Sequence, residues 1–386
     1  MLACAHNACL MSRASPIDQD TRAPCSDAEP YRQPAAAMST DHMQAVWFLT
    51  VHTDSGAEVF SQRLAEALRK RGIRAEITWL PLRAEYAPWT VAVPQPPPWA
   101  TLTHVNTWLH SRFLPKHLPI VATIHHSVHL PGLRRFKSFT RAAYHRWWIA
   151  PNERRVLRRA TRVVAVSRFV AAAASQFLLD VPMEVIYNGV DTGMFRPGTQ
   201  RPSHKRFRLL YVGKWVPLKG VDLLVPIMRQ LGEAFELYYT GADAPERVTR
   251  DMPSNMRNIG KLQNAEAVVA AMQDADALLF PSRSEGFGLV VAEAMACGLP
   301  VIAAQASSMP EIVADGVTGM LCRQDDVVMF ANAARTLAQD GAFLGKASQQ
   351  ARALALQKFS IAAMCAAYEK VYATCIYNNP LVARSA

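Results

Sequence analysis

Short apolar runs alternate with amphipathic helical patterns along most of this chain of 386 residues. The first run, 45–51, precedes a polar turn and a helical pattern over 59–71, which Gly72 ends. Strands that alternate with helices in this way are typical of parallel sheets. Further apolar runs of this kind occupy 74–80, 101–105, 120–124, 162–166, 208–213, 235–239, 277–280 and 301–304. The pattern therefore predicts an α/β fold in which helices cover parallel sheets.

The alternation is interrupted by a polar, proline-containing stretch that begins at Arg196. We place a domain boundary there, so that 44–195 and 196–359 form two domains, a division that the chain length allows. A final helix is expected over 360–376. Residues 1–43 are polar, rich in Ala, Pro and Ser, and without periodicity, and we expect them to be disordered.

Two carboxylates, Glu285 and Glu293, flank a Gly-Phe-Gly turn that follows the apolar run 277–280. A helix is expected from about Leu289, so Glu285 lies in a strand-to-helix loop, where open α/β sheets bind ligands. Free N–H groups at the start of that helix suit phosphate oxygens, and a carboxylate can grip the vicinal hydroxyls of a sugar. The spacing alone favours two ordinary acids, one in a surface loop and one on a solvated helix.

Two lysines follow another apolar run, in the stretch Gly213-Lys-Trp-Val-Pro-Leu-Lys-Gly. Lys214 and Lys219 leave the same strand end, so both can reach one diphosphate and neutralise its charge. The alternative is that both are surface lysines, which is the more common fate of this residue type.

A histidine cluster, Thr123-Ile-His-His-Ser-Val-His, follows the strand expected over 120–124. One of its histidines can project from the strand end, and the sequence leaves open whether this is His125 or His126. His129 is expected at the surface. With no Asp or Glu nearby, the cluster is a poor metal site.

The excess of positive charge lies in the first part of the chain. The formal net charge is +11, while residues 169–386 contain equal numbers of basic and acidic residues. Between 112 and 168 the only acid is Glu153, and Arg134, Arg135 and Lys137 are interleaved with aromatic residues. This mixture favours an amphipathic helix on an anionic membrane. A solvated helix whose aromatics pack inward and a site for single-stranded nucleic acid are the alternatives.

The cysteines and the hydropathy indicate a cytoplasmic protein. Seven cysteines are scattered without paired metal spacing, which suggests reduced thiols. No apolar stretch approaches the roughly 20 residues that span a bilayer, and the N-terminus lacks the apolar core of a signal peptide.

The stretch 275–319 closely resembles the Glu-x7-Glu signature of the family 4 retaining glycosyltransferases. The resemblance continues through Pro300-Val-Ile-Ala-Ala and Met309-Pro-Glu-Ile-Val-Ala-Asp-Gly-Val-Thr-Gly. The lysine stretch is similar to the family's Val-Gly-Arg-x5-Lys-Gly string, with Lys214 where arginine is usual, and His125 matches a strand-end histidine. The chain departs from the pattern at Ala306–Met309, where glycines are common, and in its first turn, which has one glycine.

The resemblance, which covers about 44–378, implies a GT-B fold: two Rossmann-like domains that face each other across a cleft, with the last helix packed on the first domain. It implies that Glu285, His125 and Lys219 lie at the reacting centre. Donor contacts are expected from Lys214, Lys219, Glu293, Gly56, Phe287, Gly288, Leu289 and Val290. The acceptor or membrane side is expected to include Asn106, Trp108, Arg134, Arg135 and Lys137. No cofactor and no metal are expected.

The implied activity is retaining transfer of a hexose from a nucleotide-diphosphate sugar to a glycan or glycolipid acceptor. We expect a role in bacterial cell-surface polysaccharide or lipopolysaccharide synthesis, at the anionic inner face of the membrane. The alternatives are a sugar-nucleotide epimerase or glycan phosphorylase of the same fold and, in a different class, a nucleic-acid-binding protein. No nucleic-acid partner is expected under the main hypothesis.

Overall fold

The computed structural model describes residues 44–53, 56–126, 128–199, 203–241 and 252–377. The disorder predicted for 1–43 therefore concerns residues outside the described part. Within it, the strands form two six-stranded sheets, one in each half of the chain, and all neighbouring strands run parallel. The predicted α/β class with parallel sheets is confirmed.

The first sheet and the helices that cover it come from the first half of the chain. Its strands are β1 (Ala45–Val51), β2 (Arg74–Leu80), β3 (Leu102–Asn106), β4 (Ile120–Ile124), β5 (Arg162–Ala165) and β6 (Glu184–Val185). Its helices are α1 (Gly56–Lys70), α2 (Arg83–Tyr86), α3 (Phe139–Tyr144), α4 (Ala150–Arg159) and α5 (Arg168–Phe177). A π-helical segment, His145–Ile149, joins α3 to α4.

The second half repeats the alternation. Its strands are β7 (Phe207–Tyr211), β8 (Phe235–Tyr239), β9 (Met256–Asn258), β10 (Ala277–Phe280), β11 (Val301–Ala304) and β12 (Gly319–Cys322). Its described helices are α6 (Leu224–Leu231), α7 (Ala265–Gln273), α8 (Leu289–Ala296), α9 (Met309–Ile312), α10 (Val327–Gln339) and α11 (Gly341–Lys358), and the chain continues into α12 (Ile361–Tyr377).

The strand order of each sheet reverses direction once. The spatial order is β2-β1-β3-β4-β5-β6 in the first sheet and β12-β11-β10-β7-β8-β9 in the second. The reversal therefore lies between β1 and β3 in the first sheet and between β7 and β10 in the second. Open α/β sheets bind ligands at such points, beyond the carboxyl ends of the strands. A ligand site is therefore expected in the loops that follow these strands.

Helix α12 packs on the first sheet, although it follows the second half in the chain. Its buried side chains join a core cluster with residues of α1 and the first sheet. At its centre, His104 of β3 hydrogen-bonds the Tyr372 hydroxyl through Nδ1 at 2.6 Å and the Thr123 hydroxyl through Nε2 at 2.9 Å. Burial lowers the pKa of His104 to about 3, so the ring is neutral at pH 7.

The chain crosses between the two sheets at two places that are joined by hydrogen bonds. The Val190 N–H donates to the Phe359 carbonyl at 2.7 Å, and the Ile361 N–H donates to the Val190 carbonyl at 3.0 Å. The predicted domain boundary at 195/196 falls between β6 and β7, and its exact position stays a prediction.

The buried contact between α12 and the first sheet can be tested with Tyr372→Phe. This change leaves the buried Nδ1 of His104 without its partner, so we expect the free energy of unfolding to fall by about 1–3 kcal/mol. Urea denaturation measures the change. Tyr377→Phe at the exposed end of α12 is the control and should change stability little. Equal losses in both variants would contradict this account of the contact.

Candidate functional site

The predicted acid and the two predicted lysines lie at the reversal point of the second sheet. Lys214 and Lys219 belong to the loop that follows β7, and Glu285 belongs to the loop that follows β10. Because β7 and β10 are neighbours in the sheet, their loops leave its carboxyl edge side by side. The fold thus brings together residues that are 66 positions apart.

Glu285 and Lys219 form an ion pair that is largely shielded from solvent. Oε1 of Glu285 accepts hydrogen bonds from the Lys219 ammonium at 2.6 Å and from the Ser282 hydroxyl at 2.7 Å. Gly220 makes this approach possible, because a Cβ there would lie 2.1 Å from the Pro281 carbonyl oxygen. Its φ of 71° also lies in the left-handed region that favours glycine. Glu285 is only 9% exposed, so the charge on the lysine compensates a nearly buried carboxylate.

Two serine hydroxyls form hydrogen bonds with the Glu285 loop, and neither contact was predicted from the sequence. The Glu285 N–H donates to the Ser307 hydroxyl at 3.0 Å, and the Ser308 hydroxyl donates to the Phe287 carbonyl at 3.0 Å. Ser307 has a φ of 52°, in the left-handed region that favours glycine, and it belongs to the stretch where the sequence lacks the glycines of the family that it resembles. The replacement of glycine by serine was visible in the sequence, but the hydroxyl contacts depend on the folded loop.

The Glu285 loop meets the first half of the chain at Gly286. A Cβ on Gly286 would lie 1.9 Å from the carbonyl oxygen of His125, so only glycine allows the two backbones to come this close. The Ser167 hydroxyl, at the end of β5, donates to the Gly286 carbonyl at 2.6 Å. The acid of the second half is therefore held directly against the histidine segment of the first.

A second contact between the halves involves Glu311. Its carboxylate accepts the N–H groups of Arg168 at 2.8 Å and Phe169 at 2.7 Å, at the start of α5. An acid at this position satisfies free N–H groups and complements the helix dipole. The contact gives Glu311 a structural role, and Arg168 takes part in it through its backbone.

The two histidines that follow β4 have different surroundings. The His125 ring packs edge-on against Phe60 of α1, with ring centroids 4.7 Å apart. His126 lies within electrostatic range of the ion pair: Glu285 raises its pKa and Lys219 lowers it, while burial, the largest effect, brings the pKa to about 4. Its Nδ1 is buried and has no hydrogen-bond partner in the described ranges. The charges of the pair therefore act on His126, and the role expected for His125 stays a prediction.

Helix α8 begins where it was predicted, at Leu289. The first N–H groups of a helix have no partner within the helix, so those of Leu289 and Val290 are available to a ligand. The Phe287 side chain is 3% exposed and packs between the rings of Tyr187 and Phe359. A donor could therefore contact Phe287 and Gly288 through their backbone only.

Glu293, inside α8, is paired across the halves. Its Oε1 accepts a hydrogen bond from Arg63 of α1 at 2.9 Å. Burial raises the pKa of Glu293, and the Arg63 guanidinium opposes that shift. Sequence reasoning missed Arg63, because nothing in the pattern of α1 signals a partner that is 230 positions away.

The remaining residues predicted for the site occupy its edges. Lys214 is exposed, and its backbone carbonyl accepts the Tyr211 hydroxyl at 3.1 Å. Gly56 is exposed at the first position of α1. Asn106, at the end of β3, donates to the Thr50 hydroxyl at 3.2 Å and accepts the Trp108 N–H at 3.1 Å. Gly56 and Asn106 thus lie at the reversal point of the first sheet.

The basic residues expected on the acceptor or membrane side differ in their exposure and in their contacts. Arg134 is exposed, and Arg135 lies 3.7 Å from Asp325 of the second half. The Lys137 ammonium donates to the Val128 carbonyl, and burial lowers the pKa of Lys137. The Lys137 ammonium is thus engaged with the backbone, and its place on the acceptor or membrane side stays a prediction.

Gly286→Ala tests the close approach of the two halves. The added methyl group would overlap the His125 carbonyl, so we expect the loops to separate and the melting temperature to fall by several degrees. Differential scanning calorimetry measures the shift. Gly341→Ala at the start of α11 is the control, since its Cβ would meet nothing within 4 Å. If Gly286→Ala is as stable as Gly341→Ala, the close approach of the Gly286 and His125 backbones is not required for stability.

Family models match both halves of the chain. The model described as "Glycosyltransferase Family 4" matches residues 100–193, and the model described as "Glycosyl transferases group 1" matches residues 206–340. Together they cover more than half of the chain.

Curated relatives share part of their length with this chain. It is 31% identical over 169 residues to an uncharacterized glycosyltransferase of Methanocaldococcus jannaschii, covering 43% of this chain and 46% of that protein. It is 29% identical over 284 residues to a D-inositol 3-phosphate glycosyltransferase of Acidothermus cellulolyticus, covering 64% of this chain and 61% of that protein. The chain spans about half the length of the curated relatives it matches.

Solved structures share the fold over most of the chain. Sucrose-phosphate synthase of Thermosynechococcus elongatus superposes with a TM-score of 0.71 at 19% identity, covering 86% of this chain and 98% of that one. HepE of Anabaena, in complex with UDP and glucose, gives 0.67 at 20% identity, with 86% and 99% covered. The lipopolysaccharide outer core galactosyltransferase WaaB gives 0.60 at 15% identity, with 86% and 99% covered. With two parallel sheets, a shared fold and family matches in both halves, the chain belongs to the family 4 glycosyltransferases of the GT-B fold.

Proposed function

We propose that this protein is a retaining glycosyltransferase that moves a hexose from a nucleotide-diphosphate sugar to an acceptor hydroxyl. The observation that carries the proposal is the buried Glu285 carboxylate, which Lys219 and Ser282 hold at the start of α8. This arrangement combines a group that accepts sugar hydroxyls with cationic and N–H donors that suit a diphosphate.

The donor would lie along α8, with its sugar at Glu285, its diphosphate at the start of the helix and its ribose at Glu293. Its diphosphate would accept hydrogen bonds from the N–H groups of Leu289 and Val290 and attract the exposed Lys214. Its ribose hydroxyls would donate to the Glu293 oxygen that Arg63 leaves available. HepE, which shares the fold, is described in complex with UDP and glucose, and this supports a donor of the same general class.

The reaction that suits this geometry is a front-face displacement. The acceptor oxygen would form a bond to the anomeric carbon while the bond from that carbon to the phosphate oxygen breaks. Because both events occur on one face of the sugar, the configuration is retained, and the acceptor proton passes to the leaving phosphate. The Lys219 ammonium has three N–H donors, so it can keep Glu285 in place and also stabilise the departing phosphate.

In this route, no residue of the chain acts as a nucleophile. Glu285 would orient the sugar through its hydroxyls, and the neutral ring of His126 would line the opposite wall. Independence from metal stays part of the proposal, as the lysines and the helix start supply the positive charge. In the described ranges, no group of three His, Cys, Asp or Glu residues is arranged to hold a metal ion.

The acceptor would be a glycan or glycolipid presented at the inner face of a bacterial membrane. Residues 82–90 and 139–149 form one surface: the Trp148 indole donates to the Glu85 carbonyl at 2.8 Å, and the Tyr144 hydroxyl donates to the Glu85 carboxylate at 3.1 Å. We call it the aromatic surface. Its exposed large side chains are Phe139 (80%), Trp147 (73%), Trp89 (64%), Tyr86 (55%) and Leu82 (52%).

Exposed aromatics beside arginines are suited to the headgroup region of an anionic leaflet. Arg83, Arg141 and Arg146 are exposed in the same two segments. We propose that binding at this surface is peripheral. In the described part of the chain, no helix has the length and apolar composition of a membrane span. The fold shared with a lipopolysaccharide outer core galactosyltransferase supports a role in cell-surface glycan synthesis.

A thermal-shift panel of UDP-, GDP-, ADP- and dTDP-sugars tests the donor. At least one should raise the melting temperature. Glu293→Gln should weaken that donor's binding about tenfold, because it loses a charged acceptor for the ribose. Glu285→Gln should lower the rate of nucleoside diphosphate release by about 10²–10³ with a smaller effect on binding. The control is Glu76→Gln on β2, whose side chain is about half exposed.

The outcomes separate the alternatives. Stabilisation by no nucleotide-sugar would refute the donor assignment. Turnover of a nucleotide-sugar without any acceptor, yielding an isomeric nucleotide-sugar, would indicate an epimerase, and a requirement for free phosphate would indicate a phosphorylase. Salt-dependent RNA binding without nucleotide-sugar affinity would favour the nucleic-acid hypothesis.

Flotation with vesicles of phosphatidylcholine and phosphatidylglycerol tests the aromatic surface. We expect the wild type to float and the double variant Phe139→Ser, Trp89→Ser to stay in the soluble fraction, because it loses two exposed rings at the interface. Tyr377→Ser, which removes an exposed ring on α12, is the control. Flotation of the double variant equal to that of the control would remove the support for this surface.

A further inference from the structure

A pocket of about 530 Å³ lies in the first half of the chain, between the segment 128–137 and the helical segment 142–154. The charged side chains that line it are all basic: Arg134, Lys137, Arg146 and Arg154. Asp and Glu are absent from the described residues that line it. An uncompensated cluster of cations concentrates anions and destabilises the protein through mutual repulsion. It therefore suggests that a ligand supplies the missing negative charge.

Glu153, on the helix that contributes Arg154 to the pocket, already has a partner for each of its oxygens. Glu153 is 1% exposed, its Oε2 lies 2.6 Å from Nε2 of His129, and its Oε1 accepts the Thr107 hydroxyl at 2.7 Å. It fixes the His129 ring at the wall of the pocket and offers nothing to the arginines. Within the described part of the chain, Arg154 donates only through its Nε, to the Leu178 carbonyl at 2.8 Å, and this leaves its two terminal nitrogens for a ligand.

A buried nitrogen in the wall also lacks a partner. His145 lines the pocket and is 5% exposed, and its Nδ1 has no hydrogen-bond partner among the described residues. Burial lowers the pKa of His145 to about 4, and the charges of Lys137 and Arg141 add to the shift. A neutral imidazole keeps one N–H, and leaving a buried polar group unpaired is costly. An acceptor oxygen inside the pocket would satisfy it.

The pocket shares a residue with the aromatic surface and begins close to His126 in the chain. His126 lies two residues before Val128, which lines the pocket, and the charges of Glu285, Lys219, Lys137 and His129 all act on its pKa. Trp147, an exposed ring of the aromatic surface, lines the rim. A molecule in the pocket could thus extend from the membrane interface toward the donor sugar.

We propose that this pocket binds a phosphate group of the acceptor, so that the substrate class is a phosphate-bearing glycan or glycolipid. A phosphate offers oxygens to several arginines at once, and its double charge matches the cluster better than a single carboxylate does. This inference rests on the proposed function, because it assigns the acceptor of that same reaction.

Glycerol 3-phosphate is the probe, with glycerol as the uncharged comparison. Isothermal titration should detect glycerol 3-phosphate but not glycerol, either with the free protein or with the protein saturated by the donor that the panel selects. Arg154→Gln and Arg134→Gln should each weaken binding at least about tenfold, in line with the loss of a charged hydrogen bond. Arg158→Gln is the matched control, as Arg158 lies one turn further along α4, is exposed and does not line the pocket.

A competition experiment distinguishes a lipid phosphate from the phosphate of a soluble sugar. Vesicles of phosphatidylcholine with phosphatidic acid should compete with glycerol 3-phosphate if the group belongs to a lipid, and should not compete if it belongs to a soluble sugar phosphate. Equal affinity for glycerol, equal losses in Arg154→Gln and Arg158→Gln, or no binding of glycerol 3-phosphate would overturn the proposal. If the nucleotide-sugar still stabilises the protein in that case, the proposed transferase function stands; if it does not, the proposed function itself has failed.

Discussion

The contact between the Gly286 backbone and the His125 carbonyl is the constraint on which the site depends. It fixes the loop after β10 of one half against the loop after β4 of the other, with no side chain between them. Ser167 and Glu311 add polar contacts on either side of this point. Since Glu285 is next to Gly286 in the chain, the same contact determines where the acid lies relative to the histidines.

Each of the two acids is accompanied by its own cation, and the two pairs differ in kind. Glu285 and Lys219 come from neighbouring loops of one sheet, so their pairing depends on the fold of the second half alone. Glu293 takes its partner Arg63 from the first half. A carboxylate buried without such a partner would lose its charge or destabilise the fold. The ribose position proposed for Glu293 is therefore complete only when the halves are together.

Much of the fold could be predicted from the sequence, because buried parallel strands are continuous apolar runs. The strands Ala45–Val51, Ile120–Ile124 and Ala277–Phe280 occur with the predicted bounds. The edge strands β9 and β12 were missed, since Met256–Asn258 and Gly319–Cys322 are short and have neighbours on one side only. Within the site, motif residues such as Lys219 could be found, whereas Arg63, Ser307 and the basic pocket depend on contacts between distant segments.

The two crossings between the sheets run side by side. Val190 exchanges backbone hydrogen bonds with Phe359 and Ile361, so the segment that leaves the first half and the segment that returns to it move as one strip. Two linkers that are joined by backbone hydrogen bonds have less freedom than two separate linkers. They would therefore limit the directions in which the halves can move apart, so that closing brings the lysine and acid loops back to the same register.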